Sequence, residues 1–233
     1  MIRLVILDFD DTIVDNRKID YQGFIIPFKK LGVSIPSIKQ ITKFRRKGKL
    51  AMDIALKFLK DSKRGYLIDE FLGIRSKFLH SDESINHLYL KKNTKSLLNM
   101  LKRNKVKCVL CSVRTNKKII LNFVTKNKIH PYLQDVILME DLGFKIDNFS
   151  PSNRILIKSS LIHKIIKNNK IKLDEIVFVG NSVEDLEASN NMKIPFIYYQ
   201  NSYLEELEDK KVIKVTNMTD LKKKIQFLQR GHL

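Results

Sequence analysis

An apolar run that stops at two carboxylates, a block of helical periodicity behind it, and helices alternating with strands from there onward predict an α/β protein. The expected architecture is a Rossmann-like, doubly wound parallel sheet with a small α-helical domain inserted after the first strand. The first of these observations is the run Leu4-Val-Ile-Leu-Asp-Phe-Asp-Asp-Thr12. Its aliphatic residues follow one another without polar alternates, the pattern of a strand covered by helices on both faces. Strand geometry places Asp8 and Asp10 on one face, just beyond the carboxyl end where open parallel sheets collect their ligands.

The second observation spans residues 16–88, where no buried-strand pattern occurs. Ala51, Ile54, Ala55, Phe58 and Leu59 form one helical stripe, and Leu67, Phe71, Ile74 and Phe78 another. Gly32, Pro36, Gly48 and Gly65 break the helices. This block is the expected helical domain, leaving 1–15 and 89–233 to the sheet domain. The third observation is the alternation itself. A helix over 93–103 leads to a strand at 106–111, a helix at 116–127 and a strand at 135–139. A helix at 152–168, a strand at 175–179, a helix from 183, strands at 194–198 and 212–215, and a helix at 218–229 complete it.

Composition narrows the class. A chain of 233 residues buries roughly 70–75% of its unfolded surface, enough for one sizeable core and a small companion. Hydrophobic content of 43% and charged content of 30% are those of a soluble globular protein. No apolar stretch reaches the ~20 residues that span a bilayer, and only Met1, Ile2 and Arg3 precede the first strand, too few for a signal peptide. A cytoplasmic protein without a membrane partner is expected. Cys108 and Cys111 have Cys-x-x-Cys spacing, but they lie in a predicted strand, where residues three apart face opposite ways. They are read as reduced core residues. The net charge of +19 and pI near 9.8 fit either a polyanionic partner or a Lys-, Ile- and Asn-rich composition spread over the surface. The charge is densest in the helical block, where Lys39, Lys43, Arg45, Arg46, Lys47 and Lys49 run without an acid.

Four segments carry chemistry. Two carboxylates held close, as the spacing of Asp8 and Asp10 allows, can bind Mg2+ and can divide into an ionised nucleophile and a proton donor; the plain alternative is a solvated acidic turn. The strand at 106–111 runs into Ser112, with Arg114, Thr115 and Asn116 behind it. A hydroxyl and backbone N–H groups there can hold a phosphate oxygen, or Ser112 is a cap or turn residue. Ile176-Val-Phe-Val179 runs into Gly180-Asn-Ser-Val-Glu-Asp185. Oxygen-bearing side chains one helical turn apart can complete a Mg2+ shell, and the same residues read equally as a helix cap with acids favouring the dipole. Lys158 opens the apolar pattern Leu161, Ile162, Ile165 and Ile166; only its position relative to the other three segments singles it out.

Together, Asp8-Phe-Asp-Asp-Thr12, Ser112, Lys158 and Gly180-Asn-Ser-x-x-Asp185 resemble, in order and spacing, the four motifs of the haloacid dehalogenase-like hydrolase superfamily. The helical insertion after the first motif is similar to the C1-type cap of its phosphoglycolate phosphatase and β-phosphoglucomutase branches. The resemblance implies a Mg2+-dependent phosphatase acting on a small phosphorylated metabolite. Asp8 would attack phosphorus, and Asp10 would protonate the leaving alcohol and then activate water. Ser112 and Lys158 would hold the transferring oxygens, with Mg2+ between Asp8, the Asp10 carbonyl, Asn181 and Asp185. Arg45, Arg46 and Lys49 of the cap, with Arg114, are the candidate substrate contacts.

An Asp at position 10 argues against dehalogenation, which protonates no leaving alcohol, and the phosphonatase branch is disfavoured likewise. Two departures stand out. The fourth motif usually begins Gly-Asp, and Asn181 in its place predicts weaker Mg2+ binding; Ser159 and Ser160 follow Lys158 where the third motif usually has proline. The competing readings are a phosphomutase of the same fold, a phosphatase of nucleic-acid ends, and a non-enzymatic basic binding protein on a degenerate hydrolase fold. Nucleic acid is the less favoured partner.

Overall fold

The computed structural model describes residues 1–143, 150–204, 207 and 212–230. The chain forms two compact units, one of Met1–Val14, Leu90–Gln200 and Leu207–Leu233, the other of Asp15–Tyr89 and Asn201–Glu206. Strand β1 (Leu4–Asp8) opens the first unit. Two short strands, β2 (Val14–Asp15) and β3 (Tyr89–Leu90), pair where the chain leaves that unit and returns to it.

The second unit is helical: α1 (Arg17–Lys30), α2 (Ile38–Arg45), α3 (Ala51–Asp61) and α4 (Ile68–Leu79). A reciprocal cap starts α2, the Ser37 hydroxyl accepting the Gln40 N–H while the Gln40 side chain accepts the Ser37 N–H at 2.8 Å. The chain turns after α1 and α2 through Gly32 and Gly48, whose φ of +61° and +68° favour glycine. Phe24, Phe28, Val33, Ile41, Ile54, Ala55, Leu59 and Phe71 make its core. The Phe28 and Phe71 rings lie 4.7 Å apart, and each such burial contributes about 1.5–3 kcal/mol.

Apolar periodicity did not foresee one feature of this unit. Helix α4 buries Arg75 between Phe71 and Phe78, and its guanidinium donates to Asp20 Oδ1 of α1 at 2.6 Å. Arg45 donates to the same carboxylate through Nε at 2.9 Å and Nη2 at 2.6 Å, and the Tyr203 hydroxyl donates to it as well. Burial by itself would raise the Asp20 carboxyl; the two guanidiniums reverse this and hold it well below the usual carboxylate range. A Cβ on Gly23 would lie 2.4 Å from Arg75 Nη1, so glycine at that position leaves the space the guanidinium occupies.

In the first unit β1 is buried at every residue. Together with β4 (Lys107–Ser112), β5 (Asp135–Leu138), β6 (Ile176–Gly180), β7 (Phe196–Tyr199) and β8 (Ile213–Val215) it forms a parallel sheet in the order β5-β4-β1-β6-β7-β8. Helices α5 (Thr94–Arg103), α6 (Lys117–Lys126), α7 (Pro151–Asn169), α8 (Val183–Asn191) and α9 (Met218–Gln229) accompany it. Leu4, Ile6, Val109, Cys111 and Phe178 share a core with Ile157, Leu161, Ile162 and Ile165 of α7. Val5 and Leu7 point to the other layer, where α5 packs on β4 and against α9.

The predicted doubly wound α/β fold is the observed one, its elements within about two residues of their expected bounds. Cys108 and Cys111 are free and buried, and burial pushes both thiols up to about 12, which makes them inert. Among the described residues no helix is long and apolar enough to cross a membrane.

Two register facts position the site. Asp8 is level with Cys111 of β4, and Leu7 with Val179 of β6, so the carboxyl ends of the three central strands lie together. The chain runs outward through β4 and β5 and then crosses to the other side of β1, which makes β1 the switch point where such sheets open a crevice.

Candidate active site

Strand β1 carries Asp8 to the end of the sheet and stops there. Residues Phe9–Ile13 wind into one wide turn, broken by extended dihedrals at Asp10 (φ −70°, ψ 127°) and left-handed ones at Asp11 (φ 54°). Strand alternation therefore does not relate Asp8 to Asp10, contrary to the sequence expectation. The turn brings the Asp10 carboxylate to β4 instead. Arg114 holds it in a bidentate grip, Nε at 2.9 Å from both oxygens and Nη2 at 2.7 Å from Oδ1. Ser112 Oγ lies 3.5 Å from Asp10 Oδ2 and accepts the Arg114 N–H at 3.2 Å.

Asp8 is 3% exposed. Lys158, reaching in from α7, donates to its Oδ1 and also to Asp185 Oδ1, while the Thr12 hydroxyl lies 3.1 Å from its Oδ2. Burial is the largest influence on Asp8 and raises it; Lys158 opposes this, Asp185 and Asp10 add to it, and the carboxyl ends up at about 7. Burial would lower Lys158, but Asp185 and Asp8 hold it above the ordinary lysine range.

The start of α8 forms the cap that one of its two readings expects. Asp185 Oδ2 accepts the N–H groups of Asn181 at 3.0 Å and Ser182 at 3.1 Å and the Ser182 hydroxyl at 2.7 Å. Ser182 Oγ in turn accepts the Asp185 N–H at 3.2 Å, closing a capping box. Lys158 donates to the other oxygen, so Asp185 caps α8 and pairs with Lys158 at once. Gly180 makes room for this arrangement, because a Cβ there would lie 2.5–2.6 Å from the Asp185 side chain. Gly180→Ala should push Asp185 out of its box and lower stability by about 1–3 kcal/mol in a denaturant titration; an unchanged midpoint would mean that Asp185 shifts freely.

Asn181 is placed differently. Its Oδ1 lies 3.2 Å from the same Thr12 hydroxyl that approaches Asp8. One hydroxyl proton serves one acceptor at a time, so either the Asp8 oxygen or the Asn181 oxygen keeps its lone pairs for another partner. A carboxylate oxygen beside an amide oxygen is the donor chemistry of a hard cation such as Mg2+. Among the described residues no three His, Cys, Asp or Glu side chains cluster as a metal site. The donors on either side of Thr12 are the Asp8 carboxylate and the Asn181 amide oxygen.

Of the remaining candidates, Arg114 is committed to Asp10, and Arg45 to Asp20 within the helical unit. Arg46 Nε donates to the Ser202 carbonyl at 2.7 Å, and the Lys49 carbonyl accepts from Arg45 at 3.1 Å; both residues are exposed members of the helical unit. The structure adds Thr12, and also Lys91, whose ammonium donates to the Asp11 carbonyl and sits 4.1 Å from the centre of the Tyr199 ring. Thr12 stood inside the first motif, but a threonine after acidic residues reads as a turn or cap. Its two acceptors become neighbours only when β1 and β6 pair.

A family model of haloacid dehalogenase-like hydrolases matches residues 5–199. The chain belongs to that family. Solved structures of similar shape include a haloacid dehalogenase-like family hydrolase from Streptococcus pneumoniae, 17% identical over 94% of this chain and 97% of that one, with a TM-score of 0.70. A "predicted phosphoglycolate phosphatase" from Haemophilus somnus is 15% identical over 97% and 98%, with a TM-score of 0.71. A subfamily IA hydrolase of the superfamily from Geobacter sulfurreducens is 15% identical over 97% and 96%, at 0.69. At these identities the likeness concerns the fold. No curated protein matches the chain.

Proposed function

We propose that this haloacid dehalogenase-like hydrolase is a Mg2+-dependent phosphatase that cleaves a small phosphomonoester through an aspartyl phosphate on Asp8. The observation that carries the reading is the buried Asp8 carboxylate at the end of the central strand, one oxygen against Lys158 and the other against Thr12, with a second carboxylate, Asp10, tethered beside Ser112. The Haemophilus somnus neighbour described as a "predicted phosphoglycolate phosphatase" accords with it.

In the first half-reaction an Asp8 oxygen attacks phosphorus, the ester P–O bond breaks, and the leaving oxygen takes a proton from Asp10. In the second, water gives a proton back to Asp10 and attacks the aspartyl phosphate, releasing phosphate and restoring Asp8. Lys158 and the Ser112 hydroxyl hold the equatorial oxygens, on which the charge of the transferring group is spread. Arg114 keeps the Asp10 carboxylate in place as a proton acceptor and must give it up when Asp10 carries the proton. When bound at Asp8 and Asn181, Mg2+ would neutralise phosphoryl charge and favour the ionised form of a carboxyl that burial pushes up to about 7.

Protein stripped with EDTA and then titrated with Mg2+ should release inorganic phosphate from 4-nitrophenyl phosphate and, more efficiently, from a small phosphorylated metabolite. No release with Mg2+ or Mn2+ would sink the reading. Phosphoryl transfer between sugar phosphates without net release would point to a phosphomutase instead. For 5′-phosphorylated oligonucleotides any binding should fall by ~10³-fold or more between 50 and 200 mM salt if six or more phosphates are contacted.

Asn181→Asp places a second carboxylate across Thr12 from Asp8. Without metal the two anions repel, so the melting temperature should fall; with Mg2+ it should rise by more than in the wild type, because an ion that binds only the folded state stabilises it by mass action. Equal Mg2+ responses in both proteins would remove Asn181 from the metal site.

A further inference from the structure

The helical unit contains a cavity of about 420 Å³, within the range of small-molecule sites, and its lining combines unpaired positive charge with exposed apolar surface. Arg17 is one of the lining residues, and Asp15 neutralises it through hydrogen bonds of 2.9 and 3.0 Å from Nε. Lys18 and Arg46 have no carboxylate partner among the described residues. The Lys18 ammonium donates to the Tyr89 hydroxyl at 2.9 Å and lies 5.4 Å from the centre of that ring. Arg46 is anchored through Nε to the Ser202 carbonyl at 2.7 Å, which leaves the two terminal nitrogens of its fork for another acceptor. Ile38 and Tyr89, on the wall of the same cavity, are 50% and 48% exposed.

We propose that this cavity is a binding site for a small organic phosphate, its dianionic head held by Lys18 and Arg46 and its apolar body lying on Ile38 and Tyr89. Two cations at one cavity repel each other, and a dianion relieves that repulsion. A guanidinium fixed at Nε is pre-oriented for bidentate contact with phosphate, and the Thr42 hydroxyl on the same wall is a further donor. Covering a large part of Ile38 and one face of Tyr89 adds a hydrophobic contribution that inorganic phosphate lacks. All of these groups belong to the helical unit, so the binding expected here does not depend on catalysis at Asp8.

Phenyl phosphate is the probe, titrated calorimetrically into the Asp8→Asn protein in EDTA so that it is not consumed. Besides any phenyl phosphate held at Lys158 and Ser112, one equivalent should bind that Arg46→Gln and Lys18→Gln each weaken by about tenfold. Ile38→Ser should weaken phenyl phosphate but not inorganic phosphate. Lys60→Gln, an exposed charge of the same unit, should leave the affinity within about twofold, as surface substitutions away from a contact do. Absence of binding overturns the proposal, as does unchanged affinity in both pocket variants or equal weakening by Lys60→Gln, which would mean diffuse charge attraction. Failed hydrolysis by the wild type with retained binding here would instead count against the phosphatase reading alone.

Discussion

Asp8→Asn should reduce hydrolysis of 4-nitrophenyl phosphate by about 10⁴-fold or more, because an amide cannot form the covalent intermediate on which both half-reactions depend. The substitution is nearly isosteric, and Lys158 retains Asp185 as an acid partner, so the loss should appear in turnover while the circular dichroism spectrum stays that of the wild type. Asp10→Asn supplies the matching signature. It also stops turnover, yet nitrophenolate leaves without needing a proton, so rapid mixing should show a burst of up to one equivalent of nitrophenolate per chain followed by silence. A rate within about tenfold of wild type in Asp8→Asn, with contamination excluded, would remove Asp8 as nucleophile.

The second large effect concerns stability. Asp20→Asn strands two buried guanidiniums, Arg45 and Arg75, and breaking a buried ion pair of this kind costs about 3–5 kcal/mol. The pH dependence gives the prediction a sign. The folded-state Asp20 carboxyl lies below its unfolded value, so its contribution is complete above the unfolded pKa near ~3.9 and drains away as pH falls through the folded one. In urea titrations the gap between wild type and Asp20→Asn should be the same at pH 7 and pH 5 and narrow steadily below pH 4. No gap at pH 7, or one undiminished at pH 2, would show that the cluster does not contribute as an ion pair.

Much of the fold was legible because a parallel sheet covered on both faces imprints itself on every residue of its strands. Leu4–Leu7 and Ile176–Val179 are buried throughout, and uninterrupted aliphatic runs have few other uses in a chain this highly charged. The helix at 218–229 was legible for a related reason, its apolar positions recurring on one face behind Asn217, which caps it. Strands β2 and β3 were not, since two residues carry no period. Arg75 broke the apolar stripe of α4 unseen, because a buried guanidinium is tolerated only by a partner 55 positions away in the chain.

The candidate site divides the same way. Residue order alone determined the α/β class and the strand ends that bear Asp8, Ser112 and Gly180, because these depend on local pattern and on where polar residues interrupt it. Only the tertiary structure decided which of 44 basic residues is buried against Asp8, that Asp185 caps α8 and binds Lys158, that Arg114 grips Asp10, and that Asn181 meets Asp8 across Thr12. Each of these depends on a partner brought close by strand pairing or helix packing. In a buried, weakly screened setting the nearest opposite charge or hydrogen-bond partner determines what a polar side chain does, and sequence distance carries no information about which one that is.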